Sequence, residues 1–116
     1  MAQVRLSAGE VLTVPRLAEY GFASNPPPGS DAVLVFYTGD RSNGVVVATG
    51  SQALRLKNLA SGDSALYDSR GAYVWLTPNG IVINGNGGNV TVENAADVTV
   101  TGSGTIQLSA PSIKLN

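Results

Sequence analysis

Apolar positions are spaced in two different ways along this chain. From Gly80 onward, short apolar pairs recur every seven to nine residues: Ile81 and Ile83, Val90 and Val92, Val98 and Val100, Ile106 and Leu108, Ile113 and Leu115. One residue separates the members of each pair, so on a strand both side chains leave the same face. Between the pairs lie turn formers: Gly85-Asn86-Gly87-Gly88, Asn94-Ala95-Ala96-Asp97, Gly102-Ser103-Gly104 and Ala110-Pro111. Short strands and turns repeating at this period predict a β-solenoid or β-helix. Two apolar residues per repeat cannot close a core, because burying one Val or Ile contributes roughly 1.5–3 kcal/mol while ordering each backbone residue costs about 1–2 kcal/mol. Identical strips from other chains supply the missing partners most simply. The expectation is a triple-stranded β-helix in a homotrimer, with the ten paired residues as its core and Thr91, Thr99, Thr101, Gln107 and Lys114 facing water.

Before Gly80 the runs are longer and closer to period two. Val4 and Leu6 share a face in a first strand, Glu10 to Val14 continues or bends it, and Pro15 interrupts the ladder. Arg16 to Tyr20 has room for one helical turn ended by Gly21, and Asn25 to Ser30, with three successive prolines, is a rigid extended loop. Ala32 to Tyr37 is an apolar run suited to a strand covered on both sides, and Val45 to Thr49 is the strand that returns beside it. Leu54 to Leu56, Ser64 to Tyr67 and Ala72 to Thr77 complete the set, with turns at Ala60 to Asp63 and Asp68 to Gly71. Five or six strands in so short a stretch predict a small antiparallel barrel, which would remove exposed edges. The expected organisation is all-β: a barrel-like domain over 1–79 and a shaft over 80–116, divided near Pro78-Asn79-Gly80.

Composition narrows the function more than the fold. The chain has 116 residues, 13% of them charged, with a net charge of -1, and its Lys and Arg are scattered, unlike a nucleic-acid footprint. Cysteine and histidine are absent, which removes disulfides, thiolate nucleophiles, the commonest metal ligand and the usual general base. The N-terminus lacks the pattern of a signal peptide and no apolar run is long enough to span a bilayer, so synthesis in a cytoplasm without a membrane anchor is expected.

Two segments carry a resemblance. Tyr20-Gly-Phe-Ala-Ser-Asn-Pro-Pro-Pro-Gly-Ser30, then Val35-Phe36 and Gly39-Asp40-Arg41-Ser42-Asn43-Gly44, resembles the hallmark stretch of the Mu-like phage baseplate central spike proteins, the baseplate assembly protein V group. Arg55-Leu56-Lys57-Asn58-Leu59, Gly62-Asp63, Ala65-Leu66-Tyr67-Asp68, Gly71 and Gly80-Ile81 match the same family in order, so the resemblance covers about residues 2–84. It implies a homotrimer with an oligonucleotide/oligosaccharide-binding-like barrel followed by a triple-stranded β-helix. It further implies a place at the centre of a contractile-tail baseplate, contact of the barrel end with hub and tail tube proteins, and perforation of the bacterial outer membrane. Two departures stand out. Family members carry another strand's worth of residues before the position of Ala2, and often end in a His-x-His apex that binds iron, whereas this chain has no histidine. The expectation is therefore a truncated fragment, or a blunt spike tipped by another protein, with no metal and no cofactor.

Among single residues, Asp40, Arg41 and Ser42 form the most site-like group, readable as a hub or inter-subunit contact or as a loop that hydrogen-bonds its own backbone. Trp75, the only tryptophan, reads as a core or interface anchor, with a ligand-stacking platform as the other reading. Ser42 has no histidine or oxyanion motif to make it a nucleophile, and the carboxylates are dispersed among turns rather than paired as in a glycosidase. Gly85-Asn86-Gly87-Gly88 lacks the Lys and helix of a phosphate loop and reads as a turn. Asn86, Asn89, Asn94 and Asp97 recur near shaft turns, readable as stacked amide ladders or as Ca²⁺ ligands, and the absence of the full calcium-binding nonapeptide favours the ladders. No catalytic residue is expected. The leading expectation is a non-enzymatic structural spike of the virion tail baseplate, assembled in the host cytoplasm. The alternatives are a barrel module binding oligosaccharide or single-stranded nucleic acid, and a trimeric adhesin fragment.

Overall fold

The computed structural model describes residues 1–6, 9–40 and 42–116. It is all-β, with antiparallel sheets and a single 3-10 turn as its only helix among the described residues. Strands β1 (Ala2–Arg5) and β2 (Val11–Val14) pair with Ala2 opposite Val14 and Val4 opposite Leu12. Alternation dictates the face: Val4 and Leu6 are half-buried with Leu12, Val14 is buried, and the residues between them point to solvent.

Strands β3 (Asp31–Phe36) and β4 (Gly44–Gly50) form the second pair. The register steps between Val33, opposite Ala48, and Leu34, opposite Val46, so Val47 is the extra residue of a β-bulge. The apolar run of β3 is covered on one face only: Leu34 and Phe36 are half-buried while Val33 and Val35 stay exposed. Val14, Val45 and Val46 are the buried apolar residues among those described, and Val46 is enclosed. Gly44 is buried beside them, where a Cβ would sit 3.2 Å from the Phe36 ring and 3.3 Å from both Leu34 and Val14, so the site has little room for a side chain.

Arg16 to Tyr20 is not a helical turn. The Val46 N–H donates to the Pro15 carbonyl at 2.9 Å, and the Leu17 N–H donates to the Val46 carbonyl at 2.8 Å, so Arg16 forms an isolated parallel bridge with Val46 of β4 and the chain runs on from it without a helical turn. Pairing with a buried strand outweighs the weak local helix preference of five residues. The chain then reverses at Tyr20-Gly21, where the Phe22 N–H reaches the Glu19 carbonyl and Gly21 takes a φ of 89°.

Leu54 to Leu56 is likewise a turn rather than a strand. The Arg55 N–H donates to the Ser51 carbonyl and the Leu54 N–H to the Ser51 hydroxyl, a local capping arrangement that leaves no ladder. The last sheet has the order β5 (Ser64–Tyr67), β6 (Tyr73–Thr77), β7 (Gly80–Asn84), all antiparallel neighbours. The two-residue loop Pro78-Asn79 joins β6 to β7, with Thr77 opposite Gly80.

Beyond β7 no strand forms within the single chain. The Gly88 N–H closes on the Gly85 carbonyl at 2.9 Å as the expected turn, and every residue from Asn86 to Asn116 is exposed. The molecule is correspondingly long, 59 × 33 × 25 Å.

Candidate functional site

The loop between β3 and β4 is a closed unit of short-range hydrogen bonds. A 3-10 turn over Tyr37–Gly39 places the Asp40 N–H on the Tyr37 carbonyl, and the Tyr37 N–H in turn reaches the Asn43 carbonyl at 3.0 Å. Asp40 Oδ1 accepts the Ser42 N–H at 2.9 Å and the Ser42 hydroxyl at 2.8 Å, and its Oδ2 accepts from the Asn43 amide at 3.3 Å. The Ser42 N–H, and then the Ser42 hydroxyl, favour the ionised carboxylate and hold Asp40 below its ordinary range. Arg41 lies outside the described residues. Asp40 and Ser42 are thus brought together in an exposed loop whose own backbone and side chains account for the bonding of Asp40, the local pattern that Asp and Ser favour in turns.

Trp75 lies far along the sequence from that loop and belongs to a second cluster. Its indole N–H donates to Asp63 Oδ2 at 3.0 Å, and the same oxygen accepts the Ala60 N–H at 3.0 Å. Asp63 can do this because Gly62, with a φ of 93°, turns the chain so that the Asp63 N–H also meets the Ala60 carbonyl. Tyr73, two residues before Trp75 on the same face of β6, meets its ring edge-on at 5.7 Å and 74°. Trp75 is half-buried and therefore anchors the β5–β6–β7 sheet to the preceding turn.

A third cluster joins the sheet to the segment after it. Asp68 Oδ1 accepts the Arg70 and Ala72 N–H groups, which shapes the β5–β6 turn, and Asp68 Oδ2 pairs with Arg70 Nε at 3.2 Å. The Asn86 side-chain amide donates to the Arg70 carbonyl at 2.8 Å, its own N–H donates to Asn84 Oδ1 at 2.7 Å, and the Asn84 amide donates to the Tyr73 hydroxyl at 3.2 Å. Gly71 admits this clasp: its φ is 88°, and a Cβ would stand 2.5 Å from the Asn86 amide nitrogen. The sequence places Asn86 in a turn and in an amide ladder, but not in this clasp. The Asn86-Gly87 dipeptide, which favours the positive φ of 47° that Asn86 adopts, is the signal the sequence carries, whereas the contact partner sixteen residues earlier leaves none.

A further contact that the sequence did not single out is Arg16, whose two terminal nitrogens donate to the Ser24 carbonyl at 2.6 Å and hydroxyl at 2.8 Å. This closes the base of a loop on which Tyr20 and Phe22 are exposed. Arg55 to Leu59 line an open surface depression. The ten residues of the apolar strip are all exposed, and only Ile81 and Ile83 lie on a strand.

Comparison with known proteins places these features. Residues 1–53 match the family model described as "Bacteriophage Mu Gp45, N-terminal". The chain is 39% identical to the Mu-like prophage FluMu protein gp45 of Haemophilus influenzae over 82 residues, covering 70% of this chain and 44% of that protein. It is 34% identical to the baseplate puncturing device gp45 of Escherichia phage Mu over 67 residues, covering 58% of this chain and 34% of that protein. The chain therefore spans less than half the length of the curated relatives it matches. No solved structure matches it. The matched region contains the Arg16–Ser24 loop, the Asp40 turn and the three buried valines, and through it this chain belongs with the Mu-like phage baseplate spike proteins.

Proposed function

We propose that the chain is the structural spike of a contractile-tail baseplate, working as a homotrimer. Residues 1–79 close, in the assembly, into an oligonucleotide/oligosaccharide-binding-like barrel that seats on hub and tail tube proteins, and residues 80–116 wind with two copies into a β-helical shaft. The role is mechanical rather than enzymatic: contraction drives the shaft through the bacterial outer membrane. The observation that carries this reading is the apolar strip. Val90, Val92, Val98, Val100, Ile106, Leu108, Ile113 and Leu115 are between 51% and 92% exposed, at a spacing that lines one face. Exposed apolar series of this regularity mark an interaction surface. The name of the phage Mu relative, a baseplate puncturing device, supports the biological setting.

A shaft whose burial is shared between chains has no stable monomeric form, so folding and assembly are one equilibrium. Sedimentation velocity of the chain at micromolar concentration tests this directly. A three-chain species is expected; a well-folded single chain would sink the proposal. In this reading the exposed Asp40–Ser42 turn, which lies within the family match, and Trp75 on β6 would contact the hub or a neighbouring subunit at the barrel end.

A further inference from the structure

The β5–β6–β7 sheet has two faces of different character. Register and alternation put Ala65, Tyr67, Tyr73, Trp75, Val82 and Asn84 on one side. That side holds the intrachain contacts: Trp75 to Asp63, Tyr73 to Trp75, and Asn84 to Tyr73. The opposite side carries Leu66 across from Val74 and Ile83, and Leu76 across from Ile81, with Ser64 completing the row at the edge. Four of these five apolar side chains are strongly exposed: Leu66 61%, Leu76 48%, Ile81 69% and Ile83 62%. No charged residue interrupts this face, and neither edge strand, Ser64–Tyr67 or Gly80–Asn84, contains the Lys or Pro that ordinarily protects an open edge.

We infer that this face, Leu66, Val74, Leu76, Ile81 and Ile83, is a subunit interface occupied by the other copies of this chain, so that the three-chain core begins within the β5–β6–β7 sheet and not at the start of the shaft. The inference rests on the trimeric reading above. Continuity identifies the occupant. Ile81 and Ile83 are at once the first pair of the apolar strip and the outer column of this sheet face. Copies that cover the strip from its first pair therefore lie over β6 and β5 as well, because neighbouring strands in a sheet are only about 5 Å apart. The Pro78-Asn79 loop then marks a change of strand direction inside one interface. A cyclic three-fold arrangement also suits a face with no charge, since nothing on it selects a partner of opposite sign.

The absence of cysteine makes the test simple. Leu76→Cys and Leu66→Cys place a thiol on the apolar face, and Tyr67→Cys places one on the other face at a position 45% exposed in the single chain. Each full-length variant is first sized by sedimentation and then labelled with a water-soluble maleimide, native and denatured. The expected result is a three-chain particle in which the Leu76→Cys and Leu66→Cys thiols are lost to native labelling and recovered in denaturant, while Tyr67→Cys labels in both states. Three-chain particles whose Leu76→Cys and Leu66→Cys thiols label as fast as Tyr67→Cys would overturn the inference and leave the trimer standing. A parent chain that sediments as a folded monomer would remove the trimeric reading itself. Should Leu76→Cys fail to assemble, the milder edge position Leu66→Cys decides by the same criterion.

Discussion

Residues 1–84 and residues 85–116 are both rich in β-branched residues and both punctuated by Gly, Asn and Pro, yet one region folds into sheets within a single chain and the other does not. In the first region each apolar run meets a partner a short loop away, and the cross-strand pairs that stabilise a sheet can form locally. In the second, each apolar pair is followed by a turn before a strand of ordinary length can develop, so no hairpin buries anything. The difference teaches that β propensity expresses the fit of a side chain to a half-buried pleated surface and not a property of the backbone alone. The surface must exist first. For residues 85–116 the proposed surface is other copies of the chain. Even the first region holds only three buried apolar residues among those described, a small core for its length and one that assembly would enlarge.

Three changes would break or sharpen this contrast. The largest effect is expected from Val98→Asp, which would set an uncompensated carboxylate in each chain at the shaft axis. Burying a charge without a partner is prohibitive, so loss of the three-chain species in sedimentation is expected. Thr99→Asp, one residue away on the outward face, should leave assembly intact, and equal effects from both would mean that the register of the strip is wrong.

Gly71→Ala comes next and probes the seam between the two regions. A side chain at a φ of 88° costs about 1–2 kcal/mol, and the new methyl would displace the Asn86 amide from the Arg70 carbonyl, removing a hydrogen bond worth about 1 kcal/mol. A lower midpoint in chemical denaturation is expected, with Asn86→Ala reproducing only the smaller part. If Gly71→Ala cost no more than Asn86→Ala, the clasp and not the backbone would be the whole effect.

The smallest effect belongs to Asp40, in the first region. Its carboxyl lies below the ordinary value of 3.8 because the charged form accepts the Ser42 N–H and hydroxyl. A depressed folded value means that the contribution is present above pH 3.8 and is lost as the pH falls through the folded value. Since the group is exposed, the change should be slight and confined to the loop. Acid titration followed by the amide resonance of Ser42 is the suitable measurement, and a Ser42 signal indifferent to pH in that range would remove the interaction.

Much of the fold was legible along the chain. Strands at Ser64 to Tyr67 and near Val45 to Thr49, the inward face of Val4, and the turns at Ala60 to Asp63, Asp68 to Gly71 and Gly85 to Gly88 all follow from alternation and turn chemistry within a few residues. Errors came where a partner outside the segment outweighed the segment's own pattern. Arg16 to Tyr20 was read as a helical turn and is drawn straight by Val46, thirty residues from Arg16. Leu54 to Leu56 was read as a strand and is curled by the hydroxyl and carbonyl of Ser51. The Asp40–Ser42 grouping was readable because its contacts span two residues, whereas the Trp75–Asp63 and Asn86–Arg70 contacts span twelve and sixteen.

The sequence by itself determined the all-β class, the places where the chain turns, the strip of apolar pairs and the lack of thiol or imidazole chemistry, because each depends on residue type and spacing over a few positions. Only the tertiary structure decided that Val46 is the enclosed residue, that Trp75 is tethered to Asp63, that Asn86 clasps the β5–β6 turn, and that Leu66, Val74 and Leu76 share a face with Ile81 and Ile83. Those facts depend on which strands become neighbours and in what register. A shift of one residue would reverse every face, and contacts such as Arg16 with Val46 or Asn86 with Arg70 join segments that no local pattern pairs.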